Sequence, residues 1–111
     1  MIRTTGNSEH YFWGNGCDGW HLLKSATLSV IQERMPPTAR ETTHYHARAQ
    51  QLFYVLRGIA TFVSHEEEFS VRAGESFYVQ PGTRHSIRND QDDDLHFLVI
   101  SEPPAQGDRH P

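Results

Sequence analysis

The amino-acid sequence predicts an all-β fold, a sandwich or barrel of short strands. Apolar and polar residues alternate with a period of two along much of the chain, and helical periodicity is nearly absent. Turn-forming residues recur about every 8 to 12 positions, which is typical of small β proteins. The 111 residues are enough for one hydrophobic core but not for two. We therefore expect a single domain, 1–111, with its core at about residues 10–101.

The first half of the chain shows one clear strand and one clear loop. The stretch "ATLSVIQER" (residues 26–34) alternates, with Leu28 and Val30 on one face and Ser29 and Glu33 on the other. The following "PPTARETT" is a loop, because proline cannot donate to a strand ladder. Upstream lies an aromatic segment that either seals the barrel or packs on a second subunit: Tyr11, Phe12, Trp13 and Trp20.

The second half reads as strands separated by turns. "QLFYVLRG" and "IATFV" are strands joined at Gly58, "SHEEE" is a turn, and "EFSVR" is the returning strand. Next, "AGESFYVQPGTRHSIRN" gives a strand, a Pro-Gly turn and another strand, and "LHFLVIS" is the last strand after the solvated loop "DQDDD". The tail of residues 102–111, "EPPAQGDRHP", is expected to lie on the surface or fray.

Composition and charge exclude several classes of partner. The formal net charge is -4, so we expect neither nucleic acid nor an anionic membrane as a partner. No signal-peptide pattern opens the chain, and no apolar run reaches the ~18 residues of a membrane-spanning helix. Cys17 is the single cysteine, so no internal disulfide can form and a reducing compartment is suitable. We expect a cytoplasmic protein.

Three histidines form a candidate metal site. His44 and His46 project from the same face of a strand, roughly 6 to 7 Å apart, and both can reach one metal ion at about 2.0 to 2.2 Å. His85 follows the turn "QPGT", which aims a side chain inward. Three neutral imidazoles suit zinc, iron, nickel or copper and tolerate manganese.

Two sequence blocks carry a family resemblance. "HYHARAQQLFYVLRG" and "GESFYVQPGTRHSIRN" resemble the two conserved motifs of the cupin superfamily, closely over residues 37–89. The resemblance implies an antiparallel double-stranded β-helix, the jelly-roll barrel of cupins. It also implies one divalent transition metal inside the barrel, namely iron, manganese, nickel or zinc.

The resemblance implies a ligand set in which one position departs from the family pattern. His44, His46 and His85 match its three histidine ligands, and Gln51 stands where glutamate is usual. Gln51 lies five residues after His46, so "ARAQ" must bend to turn it inward. A neutral amide ligates more weakly and leaves the site more positive, which favours an anionic substrate. Three alternatives stay open: Gln51 bonds only a metal-bound water or a neighbour, Gln50 replaces it, or no metal binds.

Side-chain parity predicts the lining of the pocket. Phe53 and Val55 share the face of Gln51, and Phe77 and Val79 follow Gly74 in the same way; plain core packing is the alternative for each.

His96 is a further predicted pocket residue. It shares a face of the last strand with Leu98 and Ile100, and we predict it to be an acid–base or substrate-orienting group. The competing arrangement turns three apolar residues inward and His96 to solvent: Leu95, Phe97 and Val99.

The function remains broad at this level. Open coordination positions indicate a metalloenzyme of dioxygenase or isomerase/lyase type acting on a small molecule, and the alternative is a non-catalytic ligand-binding or sensory module. No acid in the interior strands stands out as a general base, so no catalytic residue is assigned. By analogy of fold we expect a homodimer.

Overall fold

The computed structural model describes all 111 residues and contains nine strands and no helix. The predicted all-β class is therefore confirmed. No helix long and apolar enough to cross a membrane is present. The strands are β1 (Glu9–Trp13), β2 (Cys17–Lys24), β3 (Ser29–Met35), β4 (Gln50–Arg57), β5 (Ile59–Ser64), β6 (Glu67–Arg72), β7 (Ser76–Val79), β8 (His85–Arg88) and β9 (Leu95–Glu102).

The strands form two antiparallel sheets that enclose one core. The larger sheet has the order β1-β2-β3-β9-β4-β7, and the smaller has the order β6-β5-β8. Aromatic rings join the sheets: Phe53 of β4 lies 5.0 Å from Phe62 of β5 and 6.1 Å from Phe97 of β9, measured between ring centroids. All three are buried, and their apolar surface supplies the main stabilising term of a small barrel.

The last strand turns its apolar residues inward. Leu95, Phe97 and Val99 are buried, whereas His96 lies on the outer face, where its register partners are Arg34 of β3 and Arg57 of β4. The prediction that His96 enters the pocket is therefore wrong. Burying these three apolar side chains removes more apolar surface from water than burying the two apolar side chains of the opposite face would.

The aromatic N-terminal segment forms β1 and β2, and its members separate to different sides. Trp13 packs against the core, and its indole N–H donates to the carbonyl of Asp18 at 3.0 Å. Tyr11 points into a cavity of the barrel, while Phe12 is 79% exposed. The segment thus closes one side of the barrel, which was the first of the two expectations for it.

The C-terminal tail is part of the structure and does not fray. Tyr45 and His110 exchange two backbone hydrogen bonds of 2.9 Å, so the tail pairs with the loop between β3 and β4. The side chain of Asp108 is buried against the same loop. The tail therefore belongs to the functional region described next.

Candidate metal centre

His44, His46 and His85 lie together inside the barrel. Each offers a ring nitrogen, and the three nitrogens lie within 4.8 Å of one another. The side chains are buried, with 3%, 5% and 1% of the residue surface exposed. His44 and His85 face each other across an antiparallel bridge, with N–H to carbonyl distances of 3.1 and 2.9 Å. The bridge fixes one imidazole from each sequence block against the other.

A bend after His46 delivers the next residues to the same place. Ala47 and Arg48 form the predicted bend, so that prediction is confirmed. The carboxylate of Asp108 accepts hydrogen bonds from three consecutive backbone N–H groups, those of residues 47, 48 and 49, at 2.9, 2.9 and 3.1 Å. These bonds hold the pKa of Asp108 well below its usual range. On the other side, the N–H of Gly82 in the Pro-Gly turn donates to the carbonyl of His46 at 2.7 Å.

Backbone carbonyls select the tautomers of two of the imidazoles. Nδ1 of His44 lies 2.8 Å from the carbonyl oxygen of Thr42, and Nδ1 of His85 lies 2.8 Å from that of Thr83. A carbonyl only accepts, so each Nδ1 carries the proton and each Nε2 keeps its lone pair free. No partner fixes the tautomer of His46, whose buried Nδ1 lacks a hydrogen bond.

Burial keeps the three imidazoles neutral. It lowers the pKa of His44 and of His46 to about 4, and it also lowers the pKa of His85. Neutral imidazole is the form that binds a metal ion, so none of the three must lose a proton first at neutral pH.

Gln51 joins the histidines, and Gln50 does not. Gln51 is buried on β4, and its side-chain N–H donates to the hydroxyl of Ser101 at 3.0 Å. Its Oε1 is buried and has no hydrogen-bond partner. Gln50 points outward, where it donates to Glu102 and accepts from Tyr78, both at 2.7 Å. The register alternative is thereby excluded, and ligation by Gln51 stays a prediction.

A cavity of about 270 Å³ opens beside these side chains. Of the predicted lining residues, only Phe53 borders it, together with His44, His46 and Gln51. The prediction is wrong for Val55 and Val79, which are packed in the hydrophobic core, and for Phe77, which stacks on Phe62 at 4.5 Å. Parity identifies the inward face correctly for the two valines, but it does not give the depth at which a side chain meets the cavity.

The cavity also contains acidic and basic groups that the sequence analysis did not assign. Glu33, Glu41, Tyr11 and Arg109 all line it. Burial raises the pKa of Glu33 to about 8 and that of Glu41 to about 7, while Arg109 opposes the shift at Glu41. The one available indication was that Glu33 shares its strand face with Ile31 and Met35. A carboxylate among inward apolar residues is costly unless it is used.

The donor set is suitable for a first-row divalent metal. Two imidazoles present a free Nε2, the third has an unpartnered nitrogen, and Gln51, whose buried amide oxygen is also unpartnered, lines the same cavity as His44 and His46. Imidazole nitrogen with one oxygen donor is a set that zinc, iron, nickel and manganese accept. Unpartnered buried polar atoms are unusual in proteins, and a bound ion would give a partner to each of them that it contacts.

Comparisons with known proteins find chains that are similar in sequence and in fold. A curated protein of Methanocaldococcus jannaschii, described as uncharacterised, is 27% identical over 84 residues, covering 76% of this chain and 67% of that protein. The oxalate-binding protein of Thermotoga maritima is 28% identical over 85 residues, covering 72% of this chain and 70% of that protein. The solved structure of KdgF from a Halomonas species superimposes with a TM-score of 0.87 at 17% identity, covering 96% and 98% of the two chains.

The family itself follows from the match over the strands that build the site. The family model described as Cupin domain matches residues 31–101, which include all three histidines and Gln51. Together with the two antiparallel sheets and the histidine cluster, this match shows that the chain belongs to the cupin family.

Proposed function

We propose that this protein is a metal-dependent enzyme acting on a small carboxylate, with the metal held by His44, His46, His85 and Gln51. One observation carries the proposal. Three neutral imidazoles converge to within 4.8 Å, and two of them line a cavity together with Gln51, whose buried amide oxygen has no hydrogen-bond partner. A cavity of about 270 Å³ lies just below the usual range for ligand pockets, about 300–1,000 Å³, which favours a small molecule.

The charges around the cavity favour an anion. A divalent metal bound here would supply Lewis-acid polarisation and, with four neutral ligands, would keep its full charge. The guanidinium of Arg109 also lies at the cavity wall, 3.6 Å from Oε2 of Glu41, and its positive charge is available to an anion when that carboxyl group is protonated. Ile31, Phe53 and Val99 form an apolar part of the wall, where polar contacts to a ligand are strengthened by the exclusion of water.

The second candidate is a protein that binds a small dicarboxylate without transforming it. The relative from Thermotoga maritima is named for binding oxalate, and this favours the candidate at 28% identity. The two functions would share the same metal and the same anion site. They differ in whether the ligand leaves the site unchanged.

Elemental analysis of the purified protein is the first experiment, followed by calorimetric titration with oxalate. We expect about one metal ion per chain and oxalate binding that depends on it. Iron would favour oxygen chemistry, whereas zinc, manganese or nickel would favour isomerase, lyase or binding roles. Recovery of unchanged ligands after long incubation would support the binding candidate, and a protein without metal would contradict both.

We also propose that two copies associate through the outer face of the larger sheet. Leu52 pairs with Tyr78 on one side and Ile100 on the other, and Tyr54 pairs with Leu98, so these apolar side chains are contiguous. Leu52, Tyr54 and Tyr78 are 36%, 39% and 52% exposed. Leu52→Asp should convert a dimer to a monomer in sedimentation measurements, and a wild-type monomer would contradict the proposal.

A further inference from the structure

Glu33 is a second chemical group in the cavity of the histidine cluster. It lies on the inward face of β3, in line with Ser29 and Ile31 along the cavity wall. Its carboxylate has one hydrogen bond, from the hydroxyl of Tyr11 at 2.8 Å, and no ion pair. A carboxylate turned into a barrel without a paired cation lowers stability, so a purely structural role for Glu33 is poorly supported.

The position of Tyr11 depends on a specific arrangement of β1 and β2. Tyr11 and Gly19 are register partners, and the phenol ring lies across Gly19 on its way to Glu33. A methyl group at Gly19 would overlap this ring. The imidazole of His21 also contacts the ring, with 5.1 Å between the two centroids. The hydrogen bond to Glu33 is therefore maintained by the absence of a side chain at position 19.

We propose that Glu33 is the acid–base residue of this cavity, that Tyr11 is its positioning residue, and that the substrate is a small 2-oxo acid. The inference rests on the proposed function, because that function supplies the anion site. In the step, the carboxylate of Glu33 removes a proton from the carbon beside the carbonyl. The electron pair of the broken C–H bond moves onto the carbonyl oxygen, and protonated Glu33 returns a proton to carbon in the reverse step.

Two properties of the cavity select this substrate class. A 2-oxo acid has a carboxylate and an adjacent carbonyl oxygen, two donors that suit a divalent metal and the charge of Arg109, and its C–H bond is acidified by the carbonyl. The groups that face Glu33 are Tyr11, Glu41 and Arg109. Burial raises the pKa of Glu33 to about 8, and a base that titrates near the working pH is efficient in both directions of proton transfer.

The main test is proton exchange at carbon with Glu33→Gln. Zinc-loaded protein is incubated with 2-oxobutanoate in deuterated water, and the loss of the methylene proton signal is followed by NMR. We expect wild-type exchange above the buffer blank and a loss of roughly 100-fold or more in the variant, the usual range for a general base. Glu67→Gln, on exposed β6, is the matched control and should exchange like the wild type.

A role for Tyr11 in positioning predicts a change that loss of packing alone would not give. Tyr11→Phe removes a hydrogen bond that favours ionised Glu33, so the pKa of Glu33 should rise and the rising limb of the exchange rate should move to higher pH. Gly19→Ala, which displaces the ring, should move it in the same direction. The same shift should be visible without substrate, in the infrared carbonyl band of a protonated carboxyl group that Glu33→Gln abolishes.

The outcomes separate this inference from the proposed function. Metal content should be unchanged in Glu33→Gln. Exchange by that variant at the wild-type rate would overturn the inference, as would a metal-loaded wild type that binds 2-oxobutanoate without exchange, and both results would leave the metal site standing. A wild type without metal would contradict the proposed function. Glu33-dependent exchange by that protein would still support the acid–base role, and no exchange would overturn it.

Discussion

The cavity has two walls that differ in how the chain builds them. The histidine wall is made by His44, His46 and Gln51, and the bridge between His44 and His85 holds it to β8. The acidic wall brings together Tyr11 of β1, Glu33 of β3 and Arg109 of the tail. The residue spacing along the sequence is enough to indicate the chemistry of the first wall. The second depends on the tertiary fold, so its residues can change without altering a recognisable motif, and we expect it to determine which reaction occurs.

The largest expected effect is on the histidine wall. The double substitution His44→Ala and His46→Ala should reduce the bound metal to near zero, because a single imidazole and a weak amide ligand remain. The barrel should still fold, since its apolar core lies between the two sheets. Metal content and a thermal unfolding curve measure the two effects. His96→Ala on the outer face is the control, and full metal occupancy in the double variant would disprove the site.

Asp108 tests whether the tail acts on the histidine wall. Asp108→Ala leaves three backbone N–H groups between His46 and Gln51 without an acceptor. Metal affinity should then fall by up to about 100-fold, as it does when supporting groups of metal ligands are removed. Competition with a chelator gives the affinity. Asp92→Ala in the exposed acidic loop should have no effect. Equal affinities for the two variants would show that the tail does not position residues 47–49 for metal binding.

The acidic wall predicts a pH dependence of stability. Burial raises the pKa of Glu33 to about 8, so the folded protein holds a proton that the unfolded chain releases above its ordinary pKa of 4.5. The stability contributed by protonated Glu33 is complete below that ordinary pKa and is lost as the pH rises through about 8. The free energy of unfolding of Glu33→Gln, taken relative to that of the wild type, should therefore increase by up to about 2 kcal/mol between pH 6 and pH 8.

Denaturant unfolding at several pH values measures this difference in the free energy of unfolding. Glu67→Gln is again the control, because its side chain is exposed on β6. A constant difference between Glu33→Gln and the wild type across this range would mean that Glu33 is ionised throughout. The acidic wall would then carry the negative charge of Glu33 at these pH values.

The smallest expected effect concerns the amide that replaces the usual glutamate. In Gln51→Glu the added charge should tighten metal binding by roughly ten-fold, which is about 1.4 kcal/mol. The hydroxyl of Ser101, which accepts from Gln51 at 3.0 Å, can rotate and donate to the new carboxylate. Chelator competition measures the change. An unchanged affinity would place Gln51 outside the ligand set.

The sequence could predict the histidine wall because short-range geometry determines it. The spacing of His44 and His46, the Pro-Gly turn before His85 and the bend before Gln51 are all local, and the structure confirms the bend and the convergence of the imidazoles. Parity also indicated that Phe53 faces inward, and Phe53 does line the cavity. It failed for His96, since alternation does not say which face of β9 is inside.

The residues of the acidic wall could not be predicted from local sequence in the same way. Nothing local distinguishes the phenol of Tyr11 from the other aromatic residues of β1; what brings it to Glu33 is the missing side chain at Gly19. Asp108 lies in a stretch with the composition of a loose tail, yet it accepts from backbone groups about 60 positions earlier. Both contacts depend on strand register and chain path, which no short window of sequence contains.

The pairing of the tail with the loop of residues 47–49 has a consequence for when a metal ion can bind during synthesis. Residues 47–49 are made early, but their backbone N–H groups have no acceptor until Asp108 has been added and has docked beside Tyr45. The nascent chain can pair its first strands and collapse around the phenylalanines before that moment. Any metal ion that bound the imidazoles at that stage would bind before Asp108 had ordered the loop of residues 47–49. A metal ion bound here would then be selected only after Asp108 has docked on residues 47–49.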